Sequence, residues 1–383
     1  MRILRMRKQS GFTLTEFMVA MSITIVSLAA TVLAFRDATR VNQSVTFRED
    51  MSDNIRAGMN LIEQDLIETG TGIPTGGITV PSFLGGSCAS GSYSNVNRPI
   101  FTGTATFPIC NSVLPAIEPG NAMGPLITSP DATSIVNTDI ISILYADNTA
   151  STTAGVKGMN AAPINGASCP NGSISSNTVT VIFDPNCFNL NSLAAEGVSI
   201  NPGDLIMFSN ANGNAIQTVS TVNIGSQTLT FTSGDAFNFN STGAPLGTLT
   251  QLQNYNLNAQ GNKVFNVGTY PPTTATRVWL ITYYLDNVTD PTHVRLVRQV
   301  NFNGGQAVGE TLENLQFTYN FNDGKAVNDV NVPAGYSESQ IRSVNLYLGA
   351  RSTNKSSQNN KYIRENFQTQ VSLRSMAYVS QYK

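Results

Sequence analysis

The hydrophobic pattern opens with an apolar run that follows a short basic segment and ends at Phe35. The basic residues of that segment are Arg2, Arg5, Arg7 and Lys8. A run of about 24 apolar residues is long enough to cross a bilayer as a helix. Glu16 is the single formal charge in the run, and a carboxylate at that depth is costly without a partner. The pattern predicts a membrane-spanning helix over residues 12–35 with a functional acidic residue near its start.

The helical pattern continues beyond the membrane-length run. Between Val41 and Leu66 apolar residues recur at steps of mostly three or four, and no proline interrupts them. This spacing predicts one apolar stripe along a helix, with charged residues such as Asp65 on the other faces. The apolar positions do not keep a strict heptad, which argues against a coiled-coil stalk. We predict the amphipathic half of the same helix over residues 36–70, ended by the glycines and proline that follow.

Beyond residue 70 the pattern changes to short apolar runs separated by turn-forming residues. The runs that predict strands are residues 139–145, 178–183, 204–208, 277–285, 293–300, 315–321, 341–348 and 367–374. A further hairpin is predicted over residues 217–231, in which 218–219 pair with 228–231 across a turn at 223–226. Strands without helical periods between them indicate an antiparallel sheet.

The fold class predicted from this succession is α+β. A long N-terminal helix, transmembrane and then amphipathic, packs under a C-terminal antiparallel β-sheet head. The head is predicted over residues 131–383. Residues 71–130 contain few apolar runs and several prolines, and they predict a loop-rich insertion before the head.

The charge distribution predicts how the chain lies in the membrane. Basic residues precede the span and no acidic residue does, so the N-terminus is expected on the cytoplasmic side. The head then faces the periplasm or the cell exterior, in contact with a lipid bilayer only through its helix.

The cysteines fit an oxidising compartment. They are Cys88, Cys110, Cys169 and Cys187, and they allow three connectivities. Pairing of sequence neighbours is the simplest prediction, because each bridge closes a loop of roughly 20 residues and adds about 3 kcal/mol. A zinc site is the competing interpretation, but no C-x-x-C pair is present and His293, the single histidine, is far from any cysteine in sequence. No metal and no cofactor are predicted.

The remaining candidate chemistry is sparse. A lone histidine leaves no Ser-His-Asp or Cys-His arrangement unless His293 carries it, so no catalytic residue and no enzyme activity are predicted. Asn322, Asp323 and Gly324 predict a hairpin turn, with an oxygen-ligand calcium loop as the alternative.

Charge also bears on nucleic acid as a partner. Without the leader the chain has 18 basic side chains, which is 22 minus 4, against 24 acidic ones. Such a balance does not attract phosphate overall, so nucleic acid is not expected as a direct ligand. A local basic group leaves two interpretations open, a solvated loop between strands or a surface for an acidic partner or DNA. Its members are Arg342, Arg351, Lys355, Lys361 and Arg364.

The order of the N-terminal features resembles the processing site of type IV prepilins and pseudopilins. Those features are a basic leader, then Gly11-Phe12-Thr13-Leu14-Thr15-Glu16, then the apolar run. The resemblance implies that prepilin peptidase removes the leader, residues 1–11, by cutting between Gly11 and Phe12, and that Phe12 is then N-methylated. It also implies that Glu16 pairs with the amine of Phe12 in a neighbouring subunit. An uncleaved anchor is one alternative; a Sec signal peptide would place its small-residue cleavage site after the apolar region.

The succession of strand phrases is similar to that of the PilW family of minor type IV pilins, which is related to the J-type minor pseudopilin of type II secretion. The phrases are residues 139–145, 203–207, 282–285, 296–299, 312–319, 341–344 and 371–374. The resemblance implies low-abundance incorporation at the tip of a pilus, where the protein helps to start assembly. Residues 71–130 depart from that pattern.

The resemblance also implies partners and a location. The expected partners are prepilin peptidase, other major and minor pilins, the inner-membrane assembly platform and a tip adhesin. The expected location is the bacterial inner membrane, and then the pilus at the cell surface, in support of adhesion, twitching motility or DNA uptake. Two alternatives stay open: a minor pseudopilin of type II secretion, and a membrane-anchored adhesin or sugar-binding module that acts without filaments.

Overall fold

The computed structural model describes residues 11, 13–81, 83–84, 92–93, 113–131, 135–147, 159–195, 197–241, 247–327, 336–357 and 359–379. Residues 1–10, Phe12, Cys88 and Cys110 lie outside this part of the chain. The expectations for those positions therefore stay predictions.

The described chain contains one long helix, short helices and many strands. The helices are α1 (Leu14–Glu68), α2 (Leu190–Ala195) and α3 (Arg374–Val379), with single 3₁₀ turns at Leu249–Leu252 and Glu338–Gln340. The strands are β1 (Ile78–Thr79), β2 (Phe83–Leu84), β3 (Ser92–Tyr93), β4 (Val113–Leu114), β5 (Ile117–Gly120), β6 (Leu126–Thr128), β7 (Ile135–Asn137), β8 (Ile140–Ala146), β9 (Ala162–Pro163), β10 (Ser173–Ile174), β11 (Thr180–Ile182), β12 (Leu205–Asn210), β13 (Gly213–Thr218), β14 (Thr221–Asn223), β15 (Thr228–Thr230), β16 (Tyr255–Leu257), β17 (Lys263–Phe265), β18 (Thr274–Asp286), β19 (Arg295–Val300), β20 (Gln306–Gly309), β21 (Leu312–Phe321), β22 (Ala326–Val327), β23 (Ile341–Lys355) and β24 (Tyr362–Ser372).

Helix α1 is continuous over 55 residues, which is about 80 Å at 1.5 Å per residue. Its buried residues all lie between Met51 and Leu66. Val41 and Val45, at the lower end of the predicted stripe, are 54% and 47% exposed. The long helix is confirmed, but the head covers its apolar stripe only from Met51 onward.

An eight-stranded antiparallel sheet forms the middle of the head. Its order is β13-β12-β18-β19-β20, β8 and β9 also pair with β18, and β5 pairs with β8. Strand β18 lies at the centre, and 11 of its 13 residues are buried. Burial on both faces explains why residues 277–285 are apolar at successive positions rather than alternating.

A second antiparallel sheet, of order β22-β21-β23-β24, follows it in the chain. From Leu315 to Phe321 of β21 every second side chain is buried, which is the alternation expected of a sheet with one covered face. The covered face and the upper half of α1 share one core, which also takes in the middle sheet. Helix α1 contacts β23 and β24 of this sheet and β8 and β20 of the middle sheet. The antiparallel architecture is confirmed, with two main sheets where the sequence predicted one.

A smaller lobe packs on the middle sheet and contains the disulfide. Its sheet has the order β10-β11-β15-β14, and its Val181 and Phe231 share a core with Ile206 and Phe208 of β12. Cys169 and Cys187 are joined within this lobe, with their Cα atoms 5.9 Å apart. This is the pairing predicted for these two cysteines.

Two details of the strand prediction differ from the structure. Strand β15 pairs with β14 (Thr221–Asn223), not with residues 218–219. Thr218 instead ends β13, where it pairs with Leu205 of β12. The predicted hairpin turn is present. The local sequence alone does not reveal that residues 213–218 form a strand of the middle sheet.

The predicted boundary at residue 130 also differs. Ile117 is fully buried, and its strand β5 pairs with β8 at an edge of the middle sheet. Pro119 lies within β5 and is tolerated because β5 pairs on one side only, so that no ladder partner needs its missing N–H. Residues 113–131, which the prolines made resemble a loop, thus include strands of the head.

Candidate assembly site on the N-terminal helix

Thr13 and Glu16 close the first turn of α1. The Glu16 backbone N–H donates to Thr13 Oγ1 at 3.3 Å, and Glu16 Oε2 accepts from the Thr13 backbone N–H at 3.0 Å and from its hydroxyl at 2.9 Å. This reciprocal capping box satisfies N–H groups that a helix start leaves unpaired. The Thr-x-x-Glu spacing is the sequence signal of a capping box, and the predictions made from the sequence did not include this role.

The charge of Glu16 has no counter-ion within the described part of the chain. Its contacts come from Thr13 and therefore from the start of its own helix. A carboxylate in this position still lacks a positive partner when the surrounding helix enters hydrocarbon. The local geometry thus orients the acid, and the described residues leave its charge without a counter-ion.

The lower half of α1 presents its apolar side chains to the outside all the way round. Leu14 is 79% exposed and Phe35 is 76% exposed, and an 18-residue apolar window of the helix is not buried at all by the head. Among the described residues, α1 is the one helix long and apolar enough to cross a membrane. A helix that is apolar on every face requires lipid or other helices around it.

The upper half of α1 carries several acidic residues, and one of them, Asp65, is fully paired inside the chain. Asp65 is 4% exposed. Its Oδ2 accepts from Arg298 Nε at 2.7 Å and from the Tyr283 hydroxyl at 2.5 Å, and its Oδ1 accepts from the Tyr145 hydroxyl at 3.1 Å. Burial, and then the negative charge of Asp65, raises the pKa of both tyrosines above the ordinary value.

The Asp65 cluster fixes α1 on the middle sheet, because its partners come from three strands of that sheet. Tyr145 lies in β8, Tyr283 in β18 and Arg298 in β19. The prediction that Asp65 lies on an exposed polar face was wrong. Its apolar neighbours Ile62 and Leu66 are fully buried, and the turn of the helix brings Asp65 to the same face.

Gly58 sets how closely α1 approaches the same sheet. A Cβ at this position would lie 2.8 Å from Leu296 Cδ2, which is itself buried in β19. The missing side chain therefore lets the helix backbone pack directly on the sheet, between the apolar stripe and the Asp65 cluster.

Three of the five residues in the basic group near the C-terminus form ion pairs with acids of the chain. Glu313 accepts from Arg364 Nε at 2.7 Å and lies 3.3 Å from Arg351 Nε. Lys355 Nζ is 2.9 Å from Asp131 Oδ1. Arg351 and Arg364 share the single carboxylate of Glu313, and among the described residues no acid lies within ion-pair distance of Arg342 or Lys361. The group therefore keeps more basic side chains than paired acids, and a surface for an acidic partner or DNA stays a prediction.

The other sequence candidates have local partners. His293 Nδ1 lies 2.9 Å from Asp290 Oδ2. Asp323 sits in the predicted hairpin turn, where it accepts from the Lys325 N–H at 3.0 Å and from the Tyr336 hydroxyl. In the described ranges, no three acidic, cysteine or histidine side chains lie together in a way that could hold a metal ion. Gly11 is exposed at the entrance to the helix.

Comparison with known proteins identifies the N-terminal segment. Residues 6–32 match the family model described as the prokaryotic N-terminal methylation motif. The chain carries this methylation motif. The match spans the predicted cleavage position, Glu16 and most of the apolar run, so it supports a type IV pilin-like protein that is anchored in a membrane.

No curated protein sequence matches the chain. Among solved structures, a type IV-like pilin from Thermus thermophilus is similar, at 9% identity over 45% of this chain and 84% of that one, with a TM-score of 0.17. A score this low carries no argument about the fold of the head.

Proposed function

We propose that this chain is a minor type IV pilin of the PilW family. In this proposal prepilin peptidase cuts between Gly11 and Phe12, Phe12 is N-methylated, and the processed protein enters a pilus at its tip and helps to start assembly. The observation that carries the proposal is the methylation motif over residues 6–32, joined to a helix whose lower half is apolar and uncovered. Such a helix is suited first to a bilayer and then to a bundle of similar helices.

In this proposal Glu16 fixes the axial position of one subunit relative to its neighbour during assembly. The amine of Phe12 is created only by cleavage, and it would supply the positive charge that the described residues do not offer to Glu16. Pairing the two groups between neighbouring subunits removes an uncompensated charge from the apolar bundle. The capping box with Thr13 supports this role, because it holds the carboxylate at the helix start.

The size of the head supports a place at the tip. Packed helices lie about 8–10 Å apart, whereas each α1 carries a head with two main sheets and a further lobe. When many copies stack along a filament, all of their heads must find space around the central bundle of α1 helices. A subunit at the end of the filament has one side free, which suits low abundance and a role in initiation.

The expected partners follow from this role. They are prepilin peptidase, other major and minor pilins, the assembly platform of the inner membrane and a tip adhesin. The N-terminus lies in the cytoplasm and the head in the periplasm until assembly carries the protein to the cell surface.

Deletion of the gene tests the proposal against its nearest alternative. The minor-pilin role predicts loss of surface pili and normal release of secreted enzymes. A minor pseudopilin of type II secretion predicts the reverse. Complementation with the full-length gene must restore the pili, and pili in normal number after deletion would contradict the proposal.

A further inference from the structure

The second sheet, of order β22-β21-β23-β24, has one face that points away from α1. This face carries a continuous set of uncharged polar side chains. The register of β21, β23 and β24 aligns them in cross-strand rows. From one end the rows are Asn314, Gly349 and Asn366; Gln316, Tyr347 and Gln368; Thr318, Asn345 and Gln370; and Asn320, Ser343 and Ser372. We refer to these four rows as the amide face. The intervening positions, such as Phe317, Leu346 and Leu348, point into the core shared with α1.

The middle two rows line an open cavity of about 470 Å³. This volume lies within the roughly 300–1,000 Å³ of small-molecule sites. Gly349 lies in the next row beside the Tyr347 ring, where an added Cβ would meet Asn366 Oδ1 at 3.1 Å, Asn314 Cβ at 3.2 Å and Tyr347 Cε1 at 3.7 Å. The ring of Tyr347 is half-buried at the centre, while Gln368 and Gln370 are exposed along one wall.

Some polar side chains of the amide face are oriented by hydrogen bonds within the chain, and others form no hydrogen bond among the described residues. Asn345 donates to Thr318 Oγ1 at 2.8 Å, and Gln370 donates to Ser343 Oγ at 3.0 Å. These bonds orient the two amides. The Asn345 carbonyl oxygen also accepts from Asn320 Nδ2 at 3.4 Å, whereas the Gln370 carbonyl oxygen accepts no hydrogen bond among the described residues. Across the described residues, the side chains of Gln368 and Tyr347 form no hydrogen bond.

We propose that the amide face is a binding site for a neutral saccharide. The side-chain amides offer donors and acceptors in pairs, which match adjacent hydroxyl groups of a sugar. The face of the Tyr347 ring offers an apolar platform for the C–H side of a pyranose, and its hydroxyl remains a polar handle. Gln368 supplies the free amide beside that platform.

Charge and polarity select this ligand over others. None of the residues in the four rows is ionisable at neutral pH, so the face has no group to pair with phosphate, sulfate or a carboxylate. Apart from Tyr347 it offers no apolar side chain, so it lacks the hydrophobic core of a helix-binding groove. A ligand rich in neutral hydroxyl groups satisfies the amides without leaving a charge unpaired.

The position of the face keeps it accessible in the assembled protein. Helix α1 covers the opposite face of the same sheet, through the core that includes Leu346 and Leu348. When the helices of several subunits form a central bundle, this sheet stands between the bundle and the amide face. The amide face then points away from the filament axis.

The test uses the full-length protein in a detergent without a sugar headgroup. It is applied to an array of neutral oligosaccharides of glucose, galactose, mannose and N-acetylglucosamine, with sialylated and sulfated glycans beside them. Binding of neutral glycans is expected. Gln368→Ala and Tyr347→Ala are each expected to weaken that binding about tenfold, because each removes a free contact group. Gln306→Ala is the matched control, since Gln306 is an exposed glutamine on β20 of the other sheet.

Folding is checked for each variant by its thermal transition, and Tyr347→Phe provides a second variant that keeps the ring. Partial loss in Tyr347→Phe and larger loss in Tyr347→Ala support the stacking role. The proposal is overturned if no glycan binds, if only sialylated or sulfated glycans bind, or if folded Gln368→Ala and Tyr347→Ala bind like the parent. Failure of this site would leave the processing of Phe12, and with it the proposed pilin role, untouched.

Discussion

The two halves of α1 place a carboxylate in opposite situations. In the upper half Asp65 is buried, but Arg298 and two tyrosine hydroxyls of the head satisfy it. In the lower half the Glu16 carboxylate bonds to Thr13, has no counter-ion among the described residues, and is surrounded by uncovered apolar residues. Within the described part of the chain, one site is therefore complete and the other is not. An unfinished site at the start of an apolar helix is what assembly with a second subunit requires.

Removing Asp65 should have the largest effect on the folded head. Asp65→Ala leaves Arg298 without its counter-ion, and breaking a buried ion pair in this way costs about 3–5 kcal/mol. Urea unfolding followed through the single tryptophan, Trp279, measures the free energy of unfolding. Asp53→Ala, an exposed aspartate of the same helix, is the control and should change that free energy by less than about 0.5 kcal/mol.

A double-mutant cycle sharpens this result. Arg298→Met added to Asp65→Ala removes the stranded charge and should recover part of the lost stability. Equal losses for Asp65→Ala and Asp53→Ala would show that Asp65 does not hold the helix on the head.

The tyrosines of the same cluster predict loss of stability at high pH. Their folded pKa values are raised by burial and by Asp65, so above about pH 10 the unfolded chain loses protons that the folded chain keeps. Stability is thus complete below the unfolded pKa and falls as pH rises, by about 1.4 kcal/mol per pH unit for each tyrosine.

Unfolding free energies at pH 9, 10 and 11 measure that slope. In a variant with Tyr145→Phe and Tyr283→Phe, the slope should be shallower by the contribution that these two tyrosines make to it. An identical slope in this variant would show that the Asp65 cluster does not cause the loss of stability at high pH.

Glu16→Gln separates charge from helix capping. Glutamine at this position can still form the capping box, so the helix start should persist. The neutral side chain cannot pair with the amine of a neighbour, and we expect the share of protein recovered in sheared pili to fall about tenfold, equivalent to about 1.4 kcal/mol. Stability of the head should be unchanged. Normal recovery of Glu16→Gln in pili would contradict the assembly role.

Thr13→Ala tests the local half of the same site and should have the smallest effect. Loss of an N-cap costs about 1 kcal/mol, so amide exchange over residues 14–17 should rise about fivefold. Thr24→Ala is the control, because the Thr24 hydroxyl bonds to the Ala20 carbonyl in mid-helix and caps nothing. Equal amide exchange in Thr13→Ala and in the parent would show that the capping box does not stabilise the start of the helix.

The sequence predicted the elements whose residues interact at short range. The long helix followed from its apolar period, and β8, β12, β18, β21, β23 and β24 followed from apolar or alternating runs. The Cys169–Cys187 pair followed from sequence proximity. The motif around Glu16 could be read because its features are adjacent in the chain.

The sequence did not predict the features that depend on distant contacts. Asp65 was assigned to an exposed face because unpaired aspartates are rarely buried, and its partner Arg298 is 233 residues away. Val41 continues the apolar stripe but lies below the point where the head begins to cover the helix. The amide face appears only when three strands from residues 312–372 are placed in register.

Mass spectrometry of the N-terminus of the purified protein, from cells that contain prepilin peptidase, tests the central claim most directly. The account predicts a mature chain that begins at methylated Phe12, with no peptide from residues 1–11. A chain that still begins at Met1, or a mature chain cut after the apolar run, would contradict it.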